Sequence, residues 1–227
     1  MLLLISNSTQ HGRGYLDHVE PEIRACLGAA RRVAFVPFAL FDRPAYTARV
    51  RARLEPMGFT VVEDLEQAEA VFVGGGNTFR LLKALQDTGV LEKIRQRVRD
   101  GMPYIGSSAG SIVAGPSLKT TKDMPIVQPR SFEALTLVPF QISPHYLDPD
   151  PSSKHMGETQ EERILQFLEE NDTPVVGLRE GGFLEIDGFN GGSVTLGGAA
   201  ARIFRRGRSA VEAAPGDRID TLVAACR

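Results

Sequence analysis

A three-layer α/β fold around a mostly parallel, doubly wound sheet is what this sequence predicts. Three observations carry that expectation: short apolar runs bounded by turn formers, amphipathic segments of helical period between them, and glycine-rich turns directly after several runs. A strand covered on both faces reads as a continuous apolar run. Such strands alternating with helices imply parallel pairing, with helices on both sides of the sheet. Right-handed crossovers then bring the strand-to-helix turns to one sheet edge, where ligands bind in such folds.

Residues 2–5 form the first run, stopped by Ser6-Asn7-Ser8-Thr9, and helical spacing follows over 17–30. Strands are expected at 33–36, 59–62 and 70–73, with a helix over 45–57. Gly74-Gly75-Gly76-Asn77 turns the chain into a helix over 78–86, whose Phe79, Leu82 and Leu85 share one face. A second helix covers 91–98 and Gly101 stops it. Tyr104-Ile105 is a short strand entering Gly106-Ser107-Ser108-Ala109-Gly110, with a helix expected after it. The apolar segment 137–140 and residues 141–144 read as another strand, 161–168 as a helix and 175–178 as a strand. The glycine-rich, alternating stretch 183–204 reads as antiparallel hairpins, a small antiparallel C-terminal part.

With 227 residues, 42% hydrophobic and 24% charged, and no proline- or serine-rich linker, the chain reads as one domain over 1–227. A formal charge of -2 gives no global basic field for nucleic acid. The densest basic runs, around Arg49, Arg51 and Arg53 and around Arg205, Arg206 and Arg208, read as solvated faces. Cys26 and Cys226 stand in no ligand spacing, so free thiols in a reducing cytoplasm are expected, with no metal and no cofactor. The N-terminal apolar run is too short for a signal segment, and no run approaches the roughly 18 apolar residues of a membrane span. A cytoplasmic protein is expected, and the sequence leaves a homodimer open.

Gly106-Ser107-Ser108-Ala109-Gly110 fits the strand-to-helix turn that presents a nucleophilic serine. Small neighbours are required there because the serine sits on a tight, strained turn. The amide of Ala109 would face a developing oxyanion, and a helix N-terminus favours that charge. The other reading is a plain glycine-rich turn. Gly75 and Gly76 could supply a second oxyanion donor or cradle a phosphate. The phosphate-loop pattern lacks its lysine, and a dinucleotide fingerprint beginning at Gly12 fails at Asp17.

A serine nucleophile needs a base. Of four histidines, His11 and His18 read as surface residues and His155 lies in a polar stretch. His145 follows the 141–144 strand, on the functional edge if that strand joins the parallel sheet. Its alternative is a structural loop histidine. Two carboxylates could orient the imidazole, Asp123 and Glu180, and the residues alone do not choose between them.

Seven blocks together resemble the peptidase E family: Leu4-Ile5-Ser6-Asn7-Ser8-Thr9, Val73 to Phe79, Gly106 to Gly110, Asp123 to Val127, Pro144-His145, Gly157-Glu158-Thr159 and Gly177 to Gly181. They occur in the family's order over nearly the whole chain. The resemblance implies a flavodoxin-like, class I glutamine amidotransferase-like fold and serine-dependent hydrolysis of dipeptides with an N-terminal aspartate. It places the nucleophile at Ser108, the base at His145 and the acidic member at either Asp123 or Glu180. Glu180 is favoured because it follows a predicted parallel strand, while Asp123 could hold the substrate amine or organise the site. Gly75, Gly76 and Ala109 would form the oxyanion hole, and Asn77, Gln160 and Arg163 would contact a small peptide substrate. Two positions depart from the family. Ser107 stands where tryptophan is frequent, which would widen the space beside the nucleophile. Gln160 stands where arginine is frequent, with Arg163 one helical turn on; a neutral glutamine cannot form arginine's bidentate pair with a carboxylate. The rival readings are another hydrolase on the same fold, such as a cyanophycinase-like peptidase or an amidase, and a non-catalytic domain that binds a small ligand.

Overall fold

In a computed structural model, residues 1–150, 152, 154, 156–188 and 192–224 are described, so His155 and Cys226 lie outside the described residues. The strands in chain order are β1 (Leu2–Ile5), β2 (Arg32–Val36), β3 (Thr60–Val62), β4 (Ala70–Val73), β5 (Tyr104–Ser107), β6 (Gln141–Pro144), β7 (Val175–Leu178), β8 (Phe183–Asp187), β9 (Ser193–Gly197), β10 (Ala201–Phe204) and β11 (Val211–Ala213). The helices are α1 (Glu20–Leu27), α2 (Arg43–Leu54), α3 (Thr78–Asp87), α4 (Val90–Arg99), α5 (Ala109–Ala114), α6 (Gln160–Glu170) and α7 (Asp220–Val223).

Seven strands form the larger sheet, in the order β3-β2-β4-β5-β1-β8-β9. The first five are parallel, and β8 and β9 add antiparallel beyond β1. The fold class is therefore the expected α/β class with a large, mostly parallel sheet. Every residue of β1 and β4 is buried, as strands covered on both faces require. One core layer gathers Leu4, Val73, Leu82 and Val113; the opposite layer gathers Leu3, Phe35, Val50 and Phe72.

The 141–144 and 175–178 strands do not extend that sheet. β6 and β7 pair parallel with each other in a second sheet, ordered β11-β10-β7-β6 and completed by antiparallel pairing of β10 and β11. The β8–β9 hairpin occupies the free edge of β1 instead. The 183–204 stretch is thus divided between both sheets rather than forming a part of its own. The sheets share a core, since Ile142, Val176 and Ile203 cluster with Leu4 and Val73.

Helix ends follow local chemistry. Asp42 Oδ1 accepts from Ala45 N at 2.9 Å, starting α2 at Arg43, two residues before the expected 45. A capping box between Thr159 and Glu162 starts α6. The chain over 17–19 is a 3-10 turn, and α1 ends at Leu27 before Gly28, shorter than the expected 17–30. The buried stripe of α3 is Thr78, Leu81, Leu82 and Leu85, with Phe79 only partly buried at its border. Arg53 is not solvated as expected: it donates to Tyr15 O at 2.8 Å and pairs with Glu20 at 2.7 Å. His18 is half-buried rather than on the surface, and burial lowers its pKa. Cys26 is a buried free thiol, pushed up to about 12 by desolvation. Among the described residues no helix is long and apolar enough to cross a membrane.

Candidate active site

Five strands run out at the residues that build the site: β1 into Ser6, β4 into Gly74, β5 into Ser108, β6 into His145 and β7 into Arg179-Glu180. Ser108 has φ 52° and ψ -109°, a conformation costly for a residue with a Cβ. Neighbouring contacts enforce it. Ser108 N donates to Ile5 O at 2.9 Å, and Ser111 Oγ donates to Ile5 O and Gly106 O, both at 2.8 Å. The outer glycines are needed for packing. A Cβ on Gly106 would lie 2.6 Å from Gly110 O, and one on Gly110 would overlap the Val73 carbonyl.

Ser108 Oγ lies 2.9 Å from His145 Nε2, and His145 Nδ1 lies 3.0 Å from Glu180 Oε1. With the ring proton on Nδ1, the imidazole donates to Glu180 and accepts from the serine hydroxyl, the arrangement a general base needs. The Glu180 side chain is 58% exposed, so water screens its effect on the imidazolium. His145 is itself strained, at φ 52°. Its amide donates to Ser6 Oγ at 2.9 Å, and that hydroxyl donates onward to Leu178 O at 2.8 Å. Tyr146 N donates to Leu178 O at 3.1 Å, closing the link between β6 and β7. The Glu180 turn is fixed by Asn7, whose Oδ1 accepts from Gly181 N at 2.7 Å, while Ser6 N donates to Gly182 O at 2.9 Å.

Gly75 sits against Ser108: a Cβ there would lie 3.0 Å from Ser108 Cβ. Gly76 has φ 133°, and a Cβ there would crowd Ala39 O at 2.8 Å. Ala109 opens α5, so its amide has no helical acceptor one turn back. Gly75 and Ala109 thus adjoin Ser108, while Gly76 packs against Ala39 and Leu40.

Asp123 is placed elsewhere than at the histidine. Its Oδ2 accepts from Thr78 N at 2.7 Å and Thr78 Oγ1 at 2.6 Å, at the start of α3. Asn77 is also tied within the chain. Its Oδ1 accepts from Arg80 N at 3.0 Å and its Nδ2 donates to Met124 O at 2.9 Å, joining the glycine turn to the 121–126 loop. Gln160 Oε1 accepts from Lys122 Nζ and from Leu147 N, each at 3.1 Å. Arg163 Nε is 3.7 Å from Glu158 Oε2. Ser107 opens no accessible space beside Ser108: it is fully buried at the end of β5, and its Oγ has no hydrogen-bond partner among the described residues.

Three residues in contact with this geometry had no role assigned from the sequence: Ser6, Asn7 and Lys122. For Ser6 and Asn7 the available signal was polar residues directly after a fully apolar strand, at the edge where ligands bind. Lys122 donates to Pro144 O at 2.7 Å and His145 O at 3.1 Å. The residue is exposed overall, yet partial desolvation of its ammonium lowers it to about 8.

The family model for peptidase family S51 matches residues 2–193. Peptidase E of Streptomyces coelicolor is 55% identical, covering 98% of this chain and 94% of its own. The Drosophila melanogaster protein named "Probable alpha-aspartyl dipeptidase" is 46% identical, covering 94% of this chain and 93% of its own. The crystal structure of a peptidase from an acI-B1 Actinobacterium superposes with a TM-score of 0.69 at 16% identity, over 96% of this chain and 95% of that one, a likeness of fold.

Proposed function

The chain belongs to peptidase family S51, and we propose that it is a cytoplasmic serine dipeptidase that cleaves dipeptides beginning with aspartate. One observation carries the mechanism: the unbroken contact series from Ser108 Oγ through His145 to Glu180, at 2.9 and 3.0 Å. His145 takes the Ser108 proton as Oγ attacks the peptide carbonyl. The carbonyl oxygen, now negative, accepts from the amides of Ala109 and of the Gly75–Gly76 turn. Glu180 keeps the imidazolium oriented. His145 then gives its proton to the leaving amine, and the C–N bond breaks. Water, deprotonated by the same imidazole, attacks the acyl ester and releases the free serine. The Cys26 thiol takes no part, being buried away from the strand ends and held protonated by desolvation.

The test is hydrolysis of Asp-Leu, Glu-Leu, Asn-Leu and Ala-Leu by the wild-type protein and by Ser108→Ala. Asp-Leu is cleaved fastest, and Ser108→Ala removes nearly all turnover while the fold is kept. Retention of more than a few per cent of activity in Ser108→Ala, free of wild-type contamination, overturns the serine assignment. Serine-dependent cleavage that prefers another dipeptide overturns the specificity alone.

A further inference from the structure

Behind His145, between the 119–122 loop, β6 and α6, lies a cavity of about 80 Å³. Its wall includes Lys119, Lys122 and Arg163, together with Thr121, Ser143 and Gln160, and among the described residues no carboxylate lines it. The three cations meet little opposing charge. Lys119 Nζ donates to the neutral Asn171 Oδ1 at 3.1 Å, and among the described residues Arg163 meets a carboxylate at Glu158, 3.7 Å away. All three acceptors of Lys122 are uncharged: Pro144 O, His145 O and Gln160 Oε1. Of the acids that face it, Asp123 is engaged at Thr78 and Glu180 at His145. A small space lined by cations with few carboxylates close by, and by hydroxyls, suits a carboxylate. A larger cleft of about 620 Å³, between β2 and α2, holds none of the site residues.

The position ties this cavity to the reaction. Lys122 grips the carbonyl of the residue whose ring contacts Ser108, so ammonium and nucleophile are separated by the span of one histidine. Resting on the dipeptidase reading, we propose that Lys122 is the specificity-determining cation that receives the acidic side chain of the substrate, with Arg163 beside it. Gln160 holds the ammonium in place through its carbonyl oxygen. An incoming carboxylate replaces that neutral acceptor with a charged one, and an amide side chain cannot. Discrimination between aspartate and asparagine then resides in Lys122 rather than in the residue at 160.

Calorimetric titration of Ser108→Ala and of Ser108→Ala/Lys122→Met with Asp-Leu and Asn-Leu tests this, alongside kcat/KM for both dipeptides in the wild type, Lys122→Met and Lys122→Arg. Lys122→Met is expected to weaken Asp-Leu binding ~10- to 100-fold more than Asn-Leu binding, the range for a charge-assisted hydrogen bond. Lys122→Arg keeps a preference for aspartate. Equal losses for the two dipeptides would show that Lys122 only props His145 and overturn the proposal. An unchanged preference in Lys122→Met overturns it too, as does Ser108→Ala binding Asp-Leu no more tightly than Asn-Leu. The dipeptidase reading stands or falls separately. Absence of wild-type turnover with Lys122-dependent binding refutes the reading and supports the cation site; Ser108-dependent turnover with a Lys122-independent preference does the reverse.

Discussion

Replacing Ser6 by alanine removes one hydroxyl that serves two partners on different strands. Its Oγ accepts from His145 N at 2.9 Å and donates to Leu178 O at 2.8 Å, and the residue is fully buried. Alanine fits the space but leaves the His145 amide without its partner, while Leu178 O keeps the bond from Tyr146 N at 3.1 Å. At about 1–3 kcal/mol for an unsatisfied buried group, the rigid limit is a loss of roughly 1–3 kcal/mol. The actual loss is smaller if the chain relaxes. His145 sits at φ 52°, a conformation that costs about 1–3 kcal/mol, and without its anchor the loop can release that strain. Relaxation, however, swings the ring away from Ser108, where a displacement of ~1 Å can cost ~100-fold in rate. The two losses are therefore complementary: a rigid site unfolds more easily, and a relaxed one catalyses less. Urea unfolding and kcat with Asp-Leu measure both on the same preparation. A Ser6→Ala protein with stability within about 0.5 kcal/mol of wild type and kcat within about twofold would refute the reasoning, since neither route would then be in use.

Other perturbations separate the parts of the site. Glu180→Gln should lower kcat by ~10- to 1,000-fold with the fold intact, less than the ~10⁴ seen for a buried triad carboxylate, because Glu180 is 58% exposed; a loss under about threefold would remove it from the mechanism. Gly110→Ala should destabilise by more than ~3 kcal/mol or abolish folding, because the new methyl overlaps the Val73 carbonyl; wild-type-like melting would contradict that packing. The Lys122 ammonium, lowered to about 8, carries its charge below that pH and loses it as pH rises through it. Asp123, Glu180 and Arg163 are the charged groups that face it. The ratio of kcat/KM for Asp-Leu to that for Asn-Leu should therefore fall between about pH 7 and about pH 9.5, and a flat ratio would argue against a titrating cation in the pocket.

How much of this the sequence discloses depends on which residues are buried and on what covers them. The runs at Leu2–Ile5 and Ala70–Val73 match strands residue for residue because both faces are covered, which leaves an uninterrupted apolar signature. The same signature hides which sheet a strand joins. β6 is fully buried like β1, and only its pairing with β7 separates it from the larger sheet. The helix after Ser108 lacks a periodic face because all six of its residues are buried, so its presence was inferred from the turn before it rather than from pattern. Asp123 lies in a polar loop and Glu180 in the turn after β7, and each could orient an imidazole. What separates them is partner geometry, Thr78 for one and His145 for the other, and sequence spacing carries no record of that. Lys122 went unassigned for a related reason: its acceptors are two backbone carbonyls and Gln160, all distant in the chain or without side-chain identity.

The site's position on a seam explains why its polar residues bear on folding as well as chemistry. Ser108 follows a strand of the larger sheet and His145 follows a strand of the smaller one, so the two side chains meet only if the sheets are held in register. The residues that hold them there are the first two after β1. Ser6 reaches β6 and β7 through His145 N and Leu178 O, and Asn7 reaches the Glu180 turn through Gly181 N. Both reactive residues have positive φ, a conformation that persists only where surrounding bonds over-determine it. At Ser108 the turn glycines and Ser111 do this together with Ile5 O of the neighbouring β1, all within the larger sheet. At His145 the constraint comes from across the seam, through Ser6 and Lys122. The histidine half of the pair is therefore the part whose geometry depends on tertiary structure, and substitutions at Ser6 should disturb it before they disturb the nucleophile turn.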